Sequence, residues 1–135
     1  MYTNSVLLFP SYYYLGNVLG DEAEVQKCFR TIQSVVAALM RFELERGNVD
    51  ECARLLDYHW ELSQKVDKGS TNTLIDQIFS SINDLIDGRL VCGAGGGGFL
   101  QVVLKKGVSK TDVHNRLKAV FQDSLVDVWD CQLVW

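Results

Sequence analysis

The sequence is poor in several features that would each point to a particular class of protein. It has one proline, Pro10, and two histidines, and none of its four cysteines stands in a Cys-x-x-Cys pair. We therefore expect no metal site and no disulfide scaffold, and buried free thiols are the simpler interpretation. No apolar run approaches the roughly 20 residues of a membrane helix. A net charge of −4 argues against a nucleic-acid surface.

The chain length of 135 residues suits one domain with one core. We find no internal repeat, no low-complexity linker and no domain boundary. A composition of 47% apolar and 22% charged residues is that of a globular protein. The first nine residues lack the basic start and the small-residue cleavage site of a secretion signal. We expect a single domain over residues 1–135, located in the cytoplasm.

Hydrophobic periodicity predicts four helices and four strands. The predicted helices are Asp21–Arg46, Asn48–Val66, Thr73–Asp87 and Ser109–Asp123, and the predicted strands are Ser5–Phe9, Arg89–Cys92, Phe99–Leu104 and Trp129–Trp135. Gly47 and Gly88 are predicted to end the first and third helices. The first helix has one apolar stripe, which is predicted to face inward. Its members are Val25, Cys28, Phe29, Ile32, Val35, Val36, Leu39 and Met40.

The order of these elements predicts the fold class. Without two of the helices it is β-α-β-β-α-β, the ferredoxin-like arrangement. We therefore predict an α+β fold with a ferredoxin-like four-stranded antiparallel sheet, helices on one face, and extra helices inserted after the first strand.

A glycine run stands between the second and third predicted strands. Five of the eleven glycines occur between positions 93 and 98. Such a segment takes positive φ angles freely, but it costs backbone entropy on folding. Because a plain hairpin needs only two turn residues, we expect another group to approach this backbone. Successive bare N–H groups form an anion-binding concavity, so phosphate is the natural guest.

Two familiar glycine motifs do not fit this segment. No Gly-Lys-Ser/Thr ending is present, so it is not a Walker A loop. Gly93, Gly95 and Gly98 match Gly-x-Gly-x-x-Gly, but a strand follows where a dinucleotide-binding fold needs a helix. A loop that merely joins two strands is the remaining structural alternative.

The stretch Leu90-Val-Cys-Gly-Ala-Gly-Gly-Gly-Gly-Phe-Leu100 resembles the third motif of the GHMP kinases, the galactokinase, homoserine, mevalonate and phosphomevalonate kinase superfamily. Upstream, Trp60, Lys65, Ser70-Thr-Asn72 and Leu74-Ile-Asp76 resemble the stretch that precedes this motif in fucokinases and heptose-phosphate kinases. The resemblance extends from about Val6 to Trp135 and matches the C-terminal domain of that family.

The resemblance implies an ATP-dependent sugar kinase, a phosphotransferase with an alcohol acceptor, in which L-fucose is phosphorylated at the anomeric hydroxyl. It implies ATP and Mg²⁺ as cofactors of the whole enzyme. By motif match, the loop that shapes the site where nucleotide and acceptor meet consists of Gly93, Ala94, Gly95, Gly96, Gly97 and Gly98.

The family's ATP loop, of the type Pro-x-x-x-Gly-Leu-Gly-Ser-Ser, does not occur in this sequence. The resemblance therefore implies that the N-terminal domain of the kinase is absent from the chain, that the chain contains no catalytic residue, and that it is inactive alone. The implied partners are that N-terminal domain, ATP and a small sugar, without nucleic acid or membrane. A face meant for the absent domain would be exposed, so we expect a homodimer at high concentration.

The residues after the first strand depart from the family pattern. Fucokinases and heptose kinases show Tyr-Thr-Gly-x-Thr-Arg where this chain has Phe9-Pro-Ser-Tyr-Tyr-Tyr14. Tyr12, Tyr13 and Tyr14 are candidate substrate contacts, because aromatic faces suit sugar C–H surfaces; a partly buried edge segment explains them equally well. For the whole chain, the alternative function is a non-catalytic ferredoxin-like module that binds a metabolite or dimerises.

Overall fold

A computed structural model describes residues 5–10, 22–93, 98–122 and 126–131. The strands are β1 (Ser5–Pro10), β2 (Ile86–Val91), β3 (Leu100–Leu104) and β4 (Val126–Asp130). The α-helices are α1 (Glu22–Thr31), α2 (Ala37–Glu45), α3 (Val49–Val66), α4 (Thr73–Ile82) and α5 (Lys110–Phe121). A π-helical segment, Ile32–Val36, joins α1 to α2, and a short 3₁₀ turn, Lys68–Ser70, precedes α4. None of the described helices combines the length and the apolar character needed to cross a membrane.

The strands form one sheet in the order β2-β3-β1-β4, and every neighbouring pair is antiparallel. Leu8 of β1 pairs with Leu100 of β3 on one side and with Val128 of β4 on the other. The predicted α+β class is thereby confirmed. β4 begins at Val126, earlier than the predicted Trp129, and residues 132–135 lie outside the described part of the chain.

The main core lies between one face of the sheet and helices α4 and α5. Val102 on β3, Ile78 on α4 and Val113 on α5 are completely buried there. The other buried members are Trp60, Ile75, Phe79, Ile82, Ile86, Val91, Leu100, Leu104 and Leu117. Burial of this apolar set is the dominant favourable term in the folding of the domain.

Helix α3 corrects the prediction that all helices lie on one face. Its residues Ala53 and Leu56 form a separate buried cluster with Val103. Successive strand residues point to opposite faces, so Val103 lies on the face opposite Val102. Helix α3 therefore lies along the edge strand β2 and reaches both faces of the sheet. It covers an edge that would otherwise be open to pairing with another chain.

The third helix ends earlier than predicted. Helix α4 stops at Ile82, a turn follows, and β2 begins at Ile86. Gly88, predicted to terminate the helix, instead lies within β2. A side chain at Gly88 would overlap the backbone carbonyl of Ala53, so glycine is present because α3 packs directly on the strand.

The long first helix also differs from its prediction. Cys28 and Val36 are buried against Leu55 and Leu62 of α3, with Ile32, Met40 and Val66 partly buried beside them. Phe29, Val35 and Leu39 of the predicted inward stripe are exposed by 49%, 49% and 45%. The inward residues recur every four positions, whereas an α-helix completes a turn every 3.6 residues. Their direction would therefore drift around the axis of a regular α-helix. The wider turn of the π-helical segment reduces that drift and leaves the other apolar residues facing outward.

Candidate functional site

The glycine segment connects two strands whose ends are held together. The backbone N–H of Cys92 donates a 2.8 Å hydrogen bond to the carbonyl of Phe99, which joins the residue after β2 to the residue before β3. Gly93 and Gly98 have φ angles of +86° and +92°, in the left-handed region that favours glycine. Among the described residues other than the chain neighbours, no heavy atom lies within 4 Å of the position a Cβ would take at either glycine. Both described ends of the segment are therefore accessible to an approaching group.

The other members of the predicted loop, Ala94, Gly95, Gly96 and Gly97, lie outside the described residues. Tyr12, Tyr13 and Tyr14 also lie outside them. The sheet register nevertheless shows how the strands next to these two segments, β1 and β3, lie relative to each other. Leu8 pairs with Leu100, so β1 ends on the side of the sheet where β3 begins. The roles of both groups stay predictions.

An aromatic pair that the sequence did not reveal follows the glycine segment. The rings of Phe99 and Trp129 meet edge to face, with centroids 6.5 Å apart and planes at 77°. Both side chains are substantially exposed. Their contact depends on the pairing of strands that are remote in sequence, so no local motif predicts it.

The cysteine next to the glycine segment is not activated. Burial raises the pKa of the Cys92 thiol, and the neighbouring Cys131 raises it further. A thiol with a raised pKa remains protonated and is a poor nucleophile. All four cysteines of the chain are free thiols.

A serine–histidine pair on α3 is also unsuited to nucleophilic catalysis. The Ser63 hydroxyl lies 3.4 Å from Nδ1 of His59, but it donates at 2.9 Å to the His59 carbonyl of its own helix. Burial lowers the pKa of His59. Among the described residues, no group of three or more histidine, cysteine, aspartate or glutamate side chains could hold a metal ion.

A cleft of about 340 Å³ opens where α3, α4 and the edge strand β2 meet. Its lining residues are Asp57, Trp60, Glu61, Gln64, Asp76, Phe79, Ser80 and Arg89. The Arg89 guanidinium lies over the Phe79 ring, 5.7 Å from the centroid, and its Nε is 3.7 Å from Oδ1 of Asp57. Burial raises the pKa of Asp57, and the N–H and the charge of Arg89 partly offset this. Sequence reasoning missed this cleft because Asp57 and Arg89 are 32 residues apart.

Comparison with known proteins finds sequence similarity to two fucokinases. No protein-family model matches it. It is 35% identical over 66 residues to the L-fucokinase/L-fucose-1-P guanylyltransferase of Bacteroides fragilis, covering 49% of this chain and 7% of that protein. It is 30% identical over 78 residues to the bifunctional fucokinase/GDP-fucose pyrophosphorylase of Arabidopsis thaliana, covering 58% of this chain and again 7% of the relative.

The fold agrees with these sequence matches. The crystal structure of L. major mevalonate kinase in complex with R-mevalonate superimposes with a TM-score of 0.65 at 14% identity. The match covers 95% of this chain and 42% of the kinase. The chain resembles a GHMP sugar kinase C-terminal domain. The resemblance to the fucokinases is the one expected from the stretch that precedes the glycine segment. The chain spans about 7% of the length of its two curated fucokinase relatives, consistent with a domain of a larger protein.

Proposed function

We propose that this chain is the C-terminal domain of an ATP-dependent sugar kinase, which transfers the γ-phosphoryl group of ATP to the anomeric hydroxyl of L-fucose. Phosphoryl transfer depends mainly on positioning and charge stabilisation. In this proposal, residues 93–98 line the place where the nucleotide and the sugar meet. As part of this proposal, we place the protein in the cytoplasm. We also interpret the sheet, with its strand order β2-β3-β1-β4, as ferredoxin-like.

The observation that carries the proposal is the open backbone at Gly93 and Gly98. Both glycines have positive φ angles, and no described residue beyond the chain neighbours occupies the space where a side chain would lie. A hydrogen bond between Cys92 and Phe99 joins the two described ends of the segment. A phosphate group needs such access to backbone N–H groups. The described ends of the segment therefore fit a phosphate guest.

ATP and Mg²⁺ belong to the proposed whole enzyme. ATP supplies the phosphoryl group, and Mg²⁺ neutralises the charge that develops on it. The role of this chain is to present the bare backbone of residues 93–98 beside the phosphates. The proposed partner is an N-terminal domain with the ATP loop, and the chain alone is inactive.

The test compares two glycines in a protein that joins this chain to its ATP-loop domain. Gly93 and Gly107 both have φ of +86°, and no described residue beyond the chain neighbours crowds the Cβ position at either one, so an alanine strains the backbone of both equally. Gly107 lies in the turn after β3, away from the glycine segment. We expect Gly93→Ala to lower kcat/KM for L-fucose by at least tenfold and Gly107→Ala to leave it within about twofold. Equal activity of both variants, or no ATP-dependent phosphorylation by the joined protein, would contradict the proposal.

The cleft beside Arg89 favours a second candidate function, a non-catalytic metabolite-binding module. Thermal unfolding of the joined protein distinguishes the two functions. A kinase is stabilised by ATP with Mg²⁺, because a ligand that binds only the folded state raises its stability. A protein stabilised by a small metabolite and unaffected by the nucleotide would support the module.

A further inference from the structure

Of the described residues of the glycine segment, neither Gly93 nor Gly98 lines the cleft between α3, α4 and β2. Its volume of about 340 Å³ lies within the range of ligand clefts, roughly 300–1,000 Å³. A group bound here would contact α3 and α4, which pack against each other through Trp60 and Phe79, with ring centroids 6.1 Å apart. The two helical walls of the cleft are therefore in direct contact.

Arg89 places unused hydrogen-bond donors in this cleft. Its side chain is 31% exposed, and the guanidinium is held over Phe79 and close to Asp57. The separation of 3.7 Å from Asp57 is too long for a hydrogen bond. Within the described part of the chain, the guanidinium makes no hydrogen bond, although it carries five N–H donors. The side chain is thus fixed in place with its donors available.

Acceptors face these donors from both helices. Asp57 and Glu61 of α3 and Asp76 of α4 line the cleft with carboxylate oxygens. Asp57 already accepts the backbone N–H of Arg89 at 2.7 Å, and Asp76 accepts the Thr71 hydroxyl at 2.6 Å. Each carboxylate has about four lone-pair positions, so acceptor capacity remains at both residues.

The charge and the donor groups of the lining fit two classes of ligand poorly. Three carboxylates and one guanidinium leave the cleft with a net charge of −2. An anion such as phosphate would stand beside like charges, which is unfavourable. A simple cation would satisfy the carboxylates but leave the Arg89 donors without acceptors. A hydroxyl group both donates and accepts, so neighbouring hydroxyls satisfy the carboxylates and the guanidinium together.

We propose that this cleft binds a neutral polyhydroxylated ligand of monosaccharide size, held between the Arg89 guanidinium and the carboxylates of Asp57, Glu61 and Asp76. This site goes beyond the proposed kinase function, which places its acceptor sugar at residues 93–98. Binding here requires neither ATP nor another domain, so it is measured on this chain alone. Failure of this proposal and failure of the kinase proposal are therefore distinguishable.

The experiment is an NMR titration of the ¹⁵N-labelled chain with L-fucose, D-mannose, inorganic phosphate and spermidine in separate arms. We expect saturable shifts for at least one of the two sugars, with a dissociation constant of about 1 mM. The shifts should concentrate in the amides of Asp57, Glu61, Asp76 and Arg89. The absence of saturation with both sugars, a preference for phosphate or spermidine, or shifts elsewhere in the chain would overturn the proposal.

Three variants support the assignment. Arg89→Gln should weaken sugar binding at least about tenfold, because it removes a charged donor. Glu61→Gln, at an exposed position where the fold is not at risk, should weaken it about threefold. Arg41→Gln is the matched control, since the Arg41 side chain is 82% exposed and pairs with Glu45 outside the cleft. Unchanged binding in Arg89→Gln and Glu61→Gln, or equal loss in Arg41→Gln, would refute the site.

Discussion

The backbone N–H of Arg89 donates a 2.7 Å hydrogen bond to the side chain of Asp57, 32 residues earlier in the chain. Arg89 lies on β2, the edge strand of the described sheet, and no described strand pairs with its outer N–H groups. Asp57 of α3 therefore supplies an acceptor that the sheet does not. This bond fixes α3 against β2, four residues before Gly93, and thereby supports one end of the glycine segment.

Replacement of Asp57 by asparagine should change the pH dependence of stability. Burial raises the pKa of Asp57 in the folded state above its ordinary value near 3.8. Between these two pKa values the folded state binds more protons than the unfolded state, so stability falls as the pH rises through that window. Asparagine resembles the protonated carboxyl and still accepts the Arg89 N–H. We expect Asp57→Asn to be at least as stable as the wild type at pH 7.

Thermal unfolding followed by circular dichroism at pH 3.5 and pH 7 measures this effect. The advantage of the variant should shrink at pH 3.5, where most of the wild-type carboxyl is protonated in both states. A variant that is clearly less stable than the wild type at pH 7 would show that the attraction between Asp57 and Arg89 outweighs the cost of burial.

Alanine at Gly88 should destabilise the domain. The added Cβ would overlap the Ala53 carbonyl, and a backbone atom cannot rotate away as a side chain can. Overpacking of this kind costs about 1–3 kcal/mol of unfolding free energy. Asp87→Ala, at an exposed position of the same strand, is the control and should stay within about 0.5 kcal/mol. Urea denaturation of both variants tests this, and an unchanged midpoint for Gly88→Ala would mean that α3 does not pack this closely.

The burial of His59 should make stability sensitive to mild acid. Burial lowers the pKa of His59 below 6.5, so the unfolded state binds more protons as the pH falls through the window between the two values. Stability should therefore decrease as the pH drops below 6.5, and His59→Gln should reduce this dependence. NMR titration of the His59 ring protons gives the folded-state pKa directly; a value at or above 6.5 would disprove the prediction.

The outward apolar residues of the first helix should promote self-association. Leu39 and Phe42 of α2 are 45% and 51% exposed. Exposed apolar side chains that lie close together form a patch, and such patches promote association between protein molecules. We expect the sedimentation coefficient of the chain to rise with concentration and the double variant Leu39→Ser, Phe42→Ser to suppress this rise. A concentration-independent monomer for the wild type would count against the prediction.

Helix starts were readable from the sequence because capping acts over a few residues. Asn48 accepts the N–H of Glu51 at 3.4 Å, and Ser109 and Asp112 form a reciprocal capping box. Gly47 has the positive φ of 72° expected after a helix. The glycine segment was recognisable for the same reason, since its composition and its flanking strands are contiguous.

The candidate cleft was not readable in this way. Phe79 and Arg89 each look ordinary in sequence, one as a core aromatic and the other as a strand residue. Their stacking, and the approach of Asp57, arise only when α3 packs along β2 and α4 covers the sheet.

By itself, then, the sequence determined the α+β order of elements, most of their boundaries and the bare backbone between β2 and β3, because period, caps and glycine content act locally. Only the tertiary packing determined which side of the first helix is buried. It also determined that Gly88 lies in a strand and does not end a helix. Both outcomes depend on the position of α3, which covers an otherwise open sheet edge. Cys28 and Val36 are buried because they contact α3, and position 88 is a glycine because Ala53 of α3 leaves no room for a side chain.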